Sequence, residues 1–67
     1  MNLYLYDGPV TNFGRPIGRY RAYTRASTEA KALNNIKSKW KRDNGYLQRF
    51  RIELPGKIEI IESKGEN

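Results

Sequence analysis

Every second position through residues 19–25 is arginine or tyrosine, Arg19, Arg21, Tyr23 and Arg25, and the two-residue spacing returns at Arg49 and Arg51. In an extended chain, residues two apart project from the same face, so each set forms a row. Guanidinium groups fork onto phosphate oxygens in a geometry that lysine does not reproduce, and a tyrosine ring stacks on a nucleobase or wedges against it. Five guanidiniums around one ring therefore suit an anionic partner that carries bases. A merely solvated strand face ordinarily mixes signs, yet no acid lies between residues 8 and 28.

The charge distribution points the same way. Residues 15–51 hold eleven of the thirteen Lys and Arg but only two acids, Glu29 and Asp43. The first fourteen residues contribute Asp7, and residues 52–67 set four glutamates against Lys57 and Lys64. A basic middle with an acidic end predicts one cationic surface, whose usual partners are nucleic acid or an anionic membrane. A second basic set, Lys31, Lys39, Lys41 and Arg42, belongs to a helical segment and is expected on the side away from the sheet arginines. Its plainer reading is the polar flank of a surface helix. The two sets compete, because one straight duplex cannot touch both closely, and the arginines carry the bidentate geometry.

Catalysis is disfavoured by composition. The chain has neither histidine nor cysteine, so the commonest general base, nucleophile and metal ligands are missing and no disulfide staples the fold. Glu53, Glu59 and Glu62 could share a surface, but nothing marks a dyad. "GRPIG" at 14–18 lacks the Gly-Lys-Ser/Thr ending of a phosphate loop and leads into no helix. Asp43-Asn44-Gly45 is a helix end rather than a calcium loop. No catalytic residue, metal, cofactor or small-molecule substrate is expected. "MNLYLYDGPV" lacks a basic segment followed by a long apolar run, so no secretory leader is expected. No apolar run is long enough for a membrane span. The expected setting is cytoplasmic.

These residues need elements to hold them. "LYLYDGPV" reads as a first strand, bent or placed at an edge by Asp7-Gly8-Pro9. "TNFG" supplies a turn, and a second strand over about 17–25 directs Tyr20, Ala22 and Thr24 opposite to the arginines. Ser27 is the expected N-cap of a helix whose apolar stripe is Ala30, Leu33, Ile36 and Trp40, stopped at Asn44-Gly45. "YLQRFRIEL" alternates as a third strand with Phe50, Ile52 and Leu54 inward. "KIEII" follows Pro55-Gly56 as a possible fourth strand or an extension. The expected core is Leu3, Leu5, Tyr20, Ala22, Leu33, Ile36, Trp40, Phe50, Ile52 and Leu54. The prediction is an α+β domain over 1–62, a small antiparallel sheet in ββαβ order with one amphipathic helix on one face. Residues 63–67 are expected to form a flexible polar tail.

Three stretches, "YDGPV", "STEAKALNNIKSKWKRDNG" and "IELPGKI", together resemble small uncharacterised accessory proteins carried by prophages and integrative or conjugative elements of Gram-positive bacteria. The resemblance spans roughly residues 4–60 and implies a cytosolic accessory protein of a mobile element, with no catalytic residues to carry over. A sheet backed by one helix is also loosely similar to the arm-binding domains of tyrosine integrases, which read DNA with the sheet. Those have three strands before the helix, and two are expected here. The function expected is non-enzymatic binding of nucleic acid, DNA before RNA, through Arg19, Arg21, Tyr23, Arg25, Arg49 and Arg51. The alternative is a protein-interaction module that docks an acidic partner, or a homodimer formed through a strand edge.

Overall fold

A computed structural model describes residues 1–63. The expected C-terminal tail therefore lies, except for residue 63, outside the described residues. Strand β1 (Asn2–Asn12) and strand β2 (Arg15–Ala26) form a long antiparallel hairpin. Helix α1 (Glu29–Asp43) follows, and strand β3 (Ile58–Ser63) closes the chain. The sheet order is β2-β1-β3, antiparallel throughout, with β1 central. This is the α+β architecture in ββαβ order that the residue pattern predicts.

The strand that follows the helix is the "KIEII" stretch, while the expected third strand, "YLQRFRIEL", does not form. Residues 44–57 form an irregular connection, and "KIEII" supplies β3. The alternation of "RFRIEL" is real, since Ile52 and Leu54 are buried, but among the described residues its backbone pairs with the hairpin as a β-bridge at one position, Thr11 opposite Glu53. Thr11 and Glu53 exchange both backbone hydrogen bonds there, at 3.0 and 2.8 Å. Pro55-Gly56 then turns the chain so that Ile58 reaches Tyr6.

β1 also inverts the expected parity. "LYLY" alternates two apolar residue types, and hydropathy favours burying the leucines. Tyr4 and Tyr6 are the buried pair, in line with Val10, while Leu3 and Leu5 lie half-buried on the other face. The Tyr6 ring is fully buried because its hydroxyl is satisfied: it donates to the Pro9 carbonyl at 2.6 Å and accepts from the Gly56 N–H at 2.9 Å. A Cβ on Gly8 or Gly56 would meet that hydroxyl at 3.0 or 2.9 Å, so both positions need glycine for close approach. "YDGPV" and "LPG" are thus two halves of one clamp around Tyr6. β1 runs unbroken through Asp7-Gly8-Pro9. Its missing proline donor is tolerated because the β3 pairing ends at Tyr6.

Thr28, not Ser27, caps α1: its backbone is extended and its Oγ1 accepts from the Lys31 N–H at 3.2 Å. The buried helical residues are Ala32, Ile36 and Trp40, with Leu33 packed beside them, and Ala30 is exposed. At the C-terminus Gly45 takes φ 77° and donates to the Arg42 carbonyl, while the Tyr46 N–H reaches the Lys41 carbonyl at 2.8 Å. This pairing of bonds closes the helix end and lays the Tyr46 ring on Trp40, centroids 5.0 Å apart. No helix is long and apolar enough to cross a membrane among the described residues.

The helix lies over β2 and β1. Tyr20 donates to Asp43 Oδ2 at 2.8 Å, and partial burial together with that bond raises the phenol above its ordinary value. Asn35 Nδ2 reaches the Arg25 carbonyl and Thr24 Oγ1, both at 3.3 Å, and Lys39 Nζ reaches the Tyr23 carbonyl at 3.5 Å. The core joins Tyr6, Val10, Ala22, Ile36, Trp40, Ile52 and Leu54, with a smaller cluster of Tyr4, Ala26 and Ala32 toward the helix start.

Candidate nucleic-acid interface

The uncovered face of the sheet carries the first arginine row. Tyr23 is 47% exposed, and the Arg19, Arg21 and Arg25 side chains are 72%, 63% and 52% exposed. At about 3.4 Å per residue, the row extends roughly 20 Å from Arg19 to Arg25. The Arg21 guanidinium sits 6.0 Å from the centre of the Tyr23 ring.

Pairing register brings acids to this face that chain order conceals. Asp7 lies opposite Arg21 on β1, with its carboxylate 3.9 Å from Arg21 Nε and 3.8 Å from an Arg19 terminal nitrogen. Glu62 faces Leu3 across the β1–β3 ladder, and Leu3 faces Arg25. Glu62 Oε1 consequently reaches Arg25 over one strand at 3.3 Å. Lys57 and Glu59 line a shallow hollow on β1 with Leu5 and Asp7. The face is therefore cationic along β2 and compensated along β1 and β3.

Arg49 and Arg51 do not join the row, which corrects the expectation of a single six-residue patch. Both lie on the irregular 44–57 connection, which cannot add its polar residues to a sheet it does not enter. They line a cavity of about 640 Å³ beside the hairpin tip, together with Phe13, Tyr46, Leu47 and Phe50. Tyr46 stacks between Trp40 and Phe50, its centroid 4.5 Å from that of Phe50. Arg51 lies 5.1 Å from the centre of the Phe13 ring and pairs with Glu53 at 3.0 Å. No acid partners Arg49 among the described residues.

Glu53 organises this end of the molecule. Asn12 and Arg15 flank a two-residue turn in which Phe13 has φ 50° and Gly14 φ 82°, both left-handed as a type I′ hairpin requires. The Glu53 carboxylate accepts from Thr11 Oγ1 at 2.8 Å, Gly14 N–H at 3.1 Å and Phe13 N–H at 3.3 Å, besides Arg51. These bonds, led by Thr11, hold its pKa down to about 2. Asn12 Nδ2 donates to the Arg51 carbonyl at 2.6 Å, a further tie across the same gap.

The second basic set is less free than its spacing implies. Lys39 reaches back to the β2 edge and Lys41 Nζ donates to the Gln48 carbonyl at 2.6 Å. Lys31 is exposed, and Arg42 lies 4.0 Å from Asp43. Phe13, Tyr46 and Leu47 were not singled out as site residues from sequence. The signal for Phe13 was present, because "NFG" places a bulky residue where this turn favours asparagine or glycine. No group of three residues able to hold a metal occurs among the described residues.

No protein-family model, curated protein or solved structure matches the chain.

Proposed function

We propose that this protein is a non-enzymatic nucleic-acid-binding module, DNA before RNA, which places the β2 row of Arg19, Arg21, Tyr23 and Arg25 against a duplex backbone. The observation that carries this reading is the exposure of Arg19, Arg21 and Arg25, with Tyr23 between the last two, on a sheet face that no element covers among the described residues. Their acidic neighbours do not argue against it. Exposed ion pairs contribute about 0–1 kcal/mol, and Asp7 is shared between two arginines at 3.8 and 3.9 Å. A phosphate can displace such a partner. DNA is preferred because a two-stranded β-ribbon fits the B-form major groove, whereas the A-form major groove is too narrow for side-chain readout. Service to a mobile element is part of the same proposal and rests on the resemblance of the three sequence stretches alone.

Three phosphate contacts imply that log affinity falls with log salt at a slope of about −3 on duplex DNA. Arg21→Ala combined with Arg25→Ala should weaken binding to all sequences and reduce the slope to about −1. An unchanged slope in the double variant ends the assignment.

A second reading has its own observation. β3 is an edge strand with Ile60 and Ile61 56% and 48% exposed, a place where another strand could pair. Concentration-dependent sedimentation that Ile60→Lys abolishes would favour self-association through that edge.

A further inference from the structure

We infer that the cavity between the hairpin tip and the 44–57 connection takes an unpaired nucleobase, stacked on its aromatic wall with the adjoining phosphate on Arg49. This deepens the nucleic-acid reading and rests on it, but uses a different set of residues. Three independent observations converge. Phe13 is a bulky side chain held at φ 50°, a conformation costly for any residue with a Cβ and usual for asparagine or glycine at this turn position. Yet the residue is 72% exposed and its ring meets only the Arg51 guanidinium among the described contacts, so burial does not explain its presence. The backbone of the turn is fixed by two successive N–H groups on the Glu53 carboxylate. Strain that the surroundings enforce, at an exposed side chain, is characteristic of functional positions.

The opposite wall supplies the matching surface. Tyr46 and Phe50 are nearly parallel, tilted by 16°, and Tyr46 rests in turn on buried Trp40. Tyr46 is covered on its two faces by Trp40 and Phe50, so this wall is held rigid, and the exposed ring left to stack on a ligand is Phe13. Charge selects among flat apolar ligands. Arg51 spends its charge on Glu53, whereas Arg49 has no acid partner among the described residues and lines the same cavity. Aromatic faces beside an unpaired guanidinium fit a base joined to a phosphate, and fit an uncharged apolar peptide less well. A base inside a duplex presents no free face, so the site reads single-stranded flanks, ends or gaps.

The experiment compares a blunt DNA duplex with the same duplex bearing a three-nucleotide overhang in which 2-aminopurine replaces one base. Stacking on one aromatic platform corresponds to roughly five- to hundredfold in affinity. The overhang should bind tighter by a factor in that range, with quenched 2-aminopurine fluorescence. Phe13→Asn, which suits the turn, should erase the overhang preference and the quenching while blunt-duplex affinity stays the same. Arg49→Gln should reduce the preference and its salt dependence. Equal binding of both duplexes by the wild-type protein, or a preference that survives Phe13→Asn, overturns the inference and leaves the sheet reading standing. That outcome would open the cavity to a peptide. Failure of both duplexes to bind overturns the nucleic-acid reading and this inference with it.

Discussion

Tyr6→Phe removes one oxygen from the clamp that joins β1 to the 52–56 segment. The hydroxyl both donates to Pro9 and accepts from Gly56, and the ring around it is fully buried, so water cannot replace either bond without opening the core. An unpaired buried donor or acceptor costs about 1–3 kcal/mol. At about 0.05–0.15 kcal/mol per residue, a chain of 67 residues is stable by roughly 3–10 kcal/mol. The loss is therefore a large share of the whole. With about 4–8 °C per kcal/mol for a domain of this size, Tm should fall by roughly 5–20 °C. Tyr4→Phe is the matched control. Tyr4 is also buried, but the bond its hydroxyl takes from Asn2 is long, at 3.3 Å, so its loss should stay within about 0.5 kcal/mol. Thermal and urea melts followed by far-ultraviolet circular dichroism measure both. A Tyr6→Phe protein as stable as wild type, or a Tyr4→Phe protein more damaged than it, would refute the clamp.

Phe13→Asn should raise stability by roughly 0.5–1 kcal/mol, the left-handed strain relieved less the exposed contact with Arg51; a loss above 1 kcal/mol in urea melts would assign Phe13 a structural role. Glu53 has a folded pKa of about 2 against an ordinary 4.5, so its contribution is complete above pH 4.5 and is lost as pH falls toward 2. Urea midpoints at pH 6, 4 and 2.5 should therefore decline more steeply in wild type than in Glu53→Gln, and parallel declines would contradict the bonding described. Thr28→Ala should cost about 1 kcal/mol as the true cap, and Ser27→Ala less than about 0.5 kcal/mol. Equal effects in thermal melts would return the cap to Ser27.

What the sequence disclosed follows from the range of each interaction. The helix was legible because its signals are local: an apolar stripe, a hydroxyl ahead of Glu29 and an Asn-Gly end. The alternation of β2 likewise placed Arg19, Arg21, Tyr23 and Arg25 on one face without knowledge of any neighbour. The parity of "LYLY" was not legible, because the choice of tyrosine depends on Gly56, fifty residues away, completing the Tyr6 bonds. The compensation of the arginines by Asp7 and Glu62 requires the register of three strands, which no window of sequence contains. "RFRIEL" misled for the opposite reason. Its period-two burial is true, but one bridge at Thr11 supplies that burial without a ladder.

The capped margin of β2 bears on how copies of this protein can assemble. Asn35 and Lys39 occupy the outward carbonyls of Arg25 and Tyr23, and Pro16, farther along the same margin, offers no N–H. A strand approaching β2 over Tyr23–Arg25 would meet occupied acceptors, whereas the β3 margin carries no such cap among the described residues. An antiparallel union of two β3 strands would produce one continuous six-stranded platform, each rim of which is hindered at its Tyr23–Arg25 end. Further strand addition would be disfavoured there.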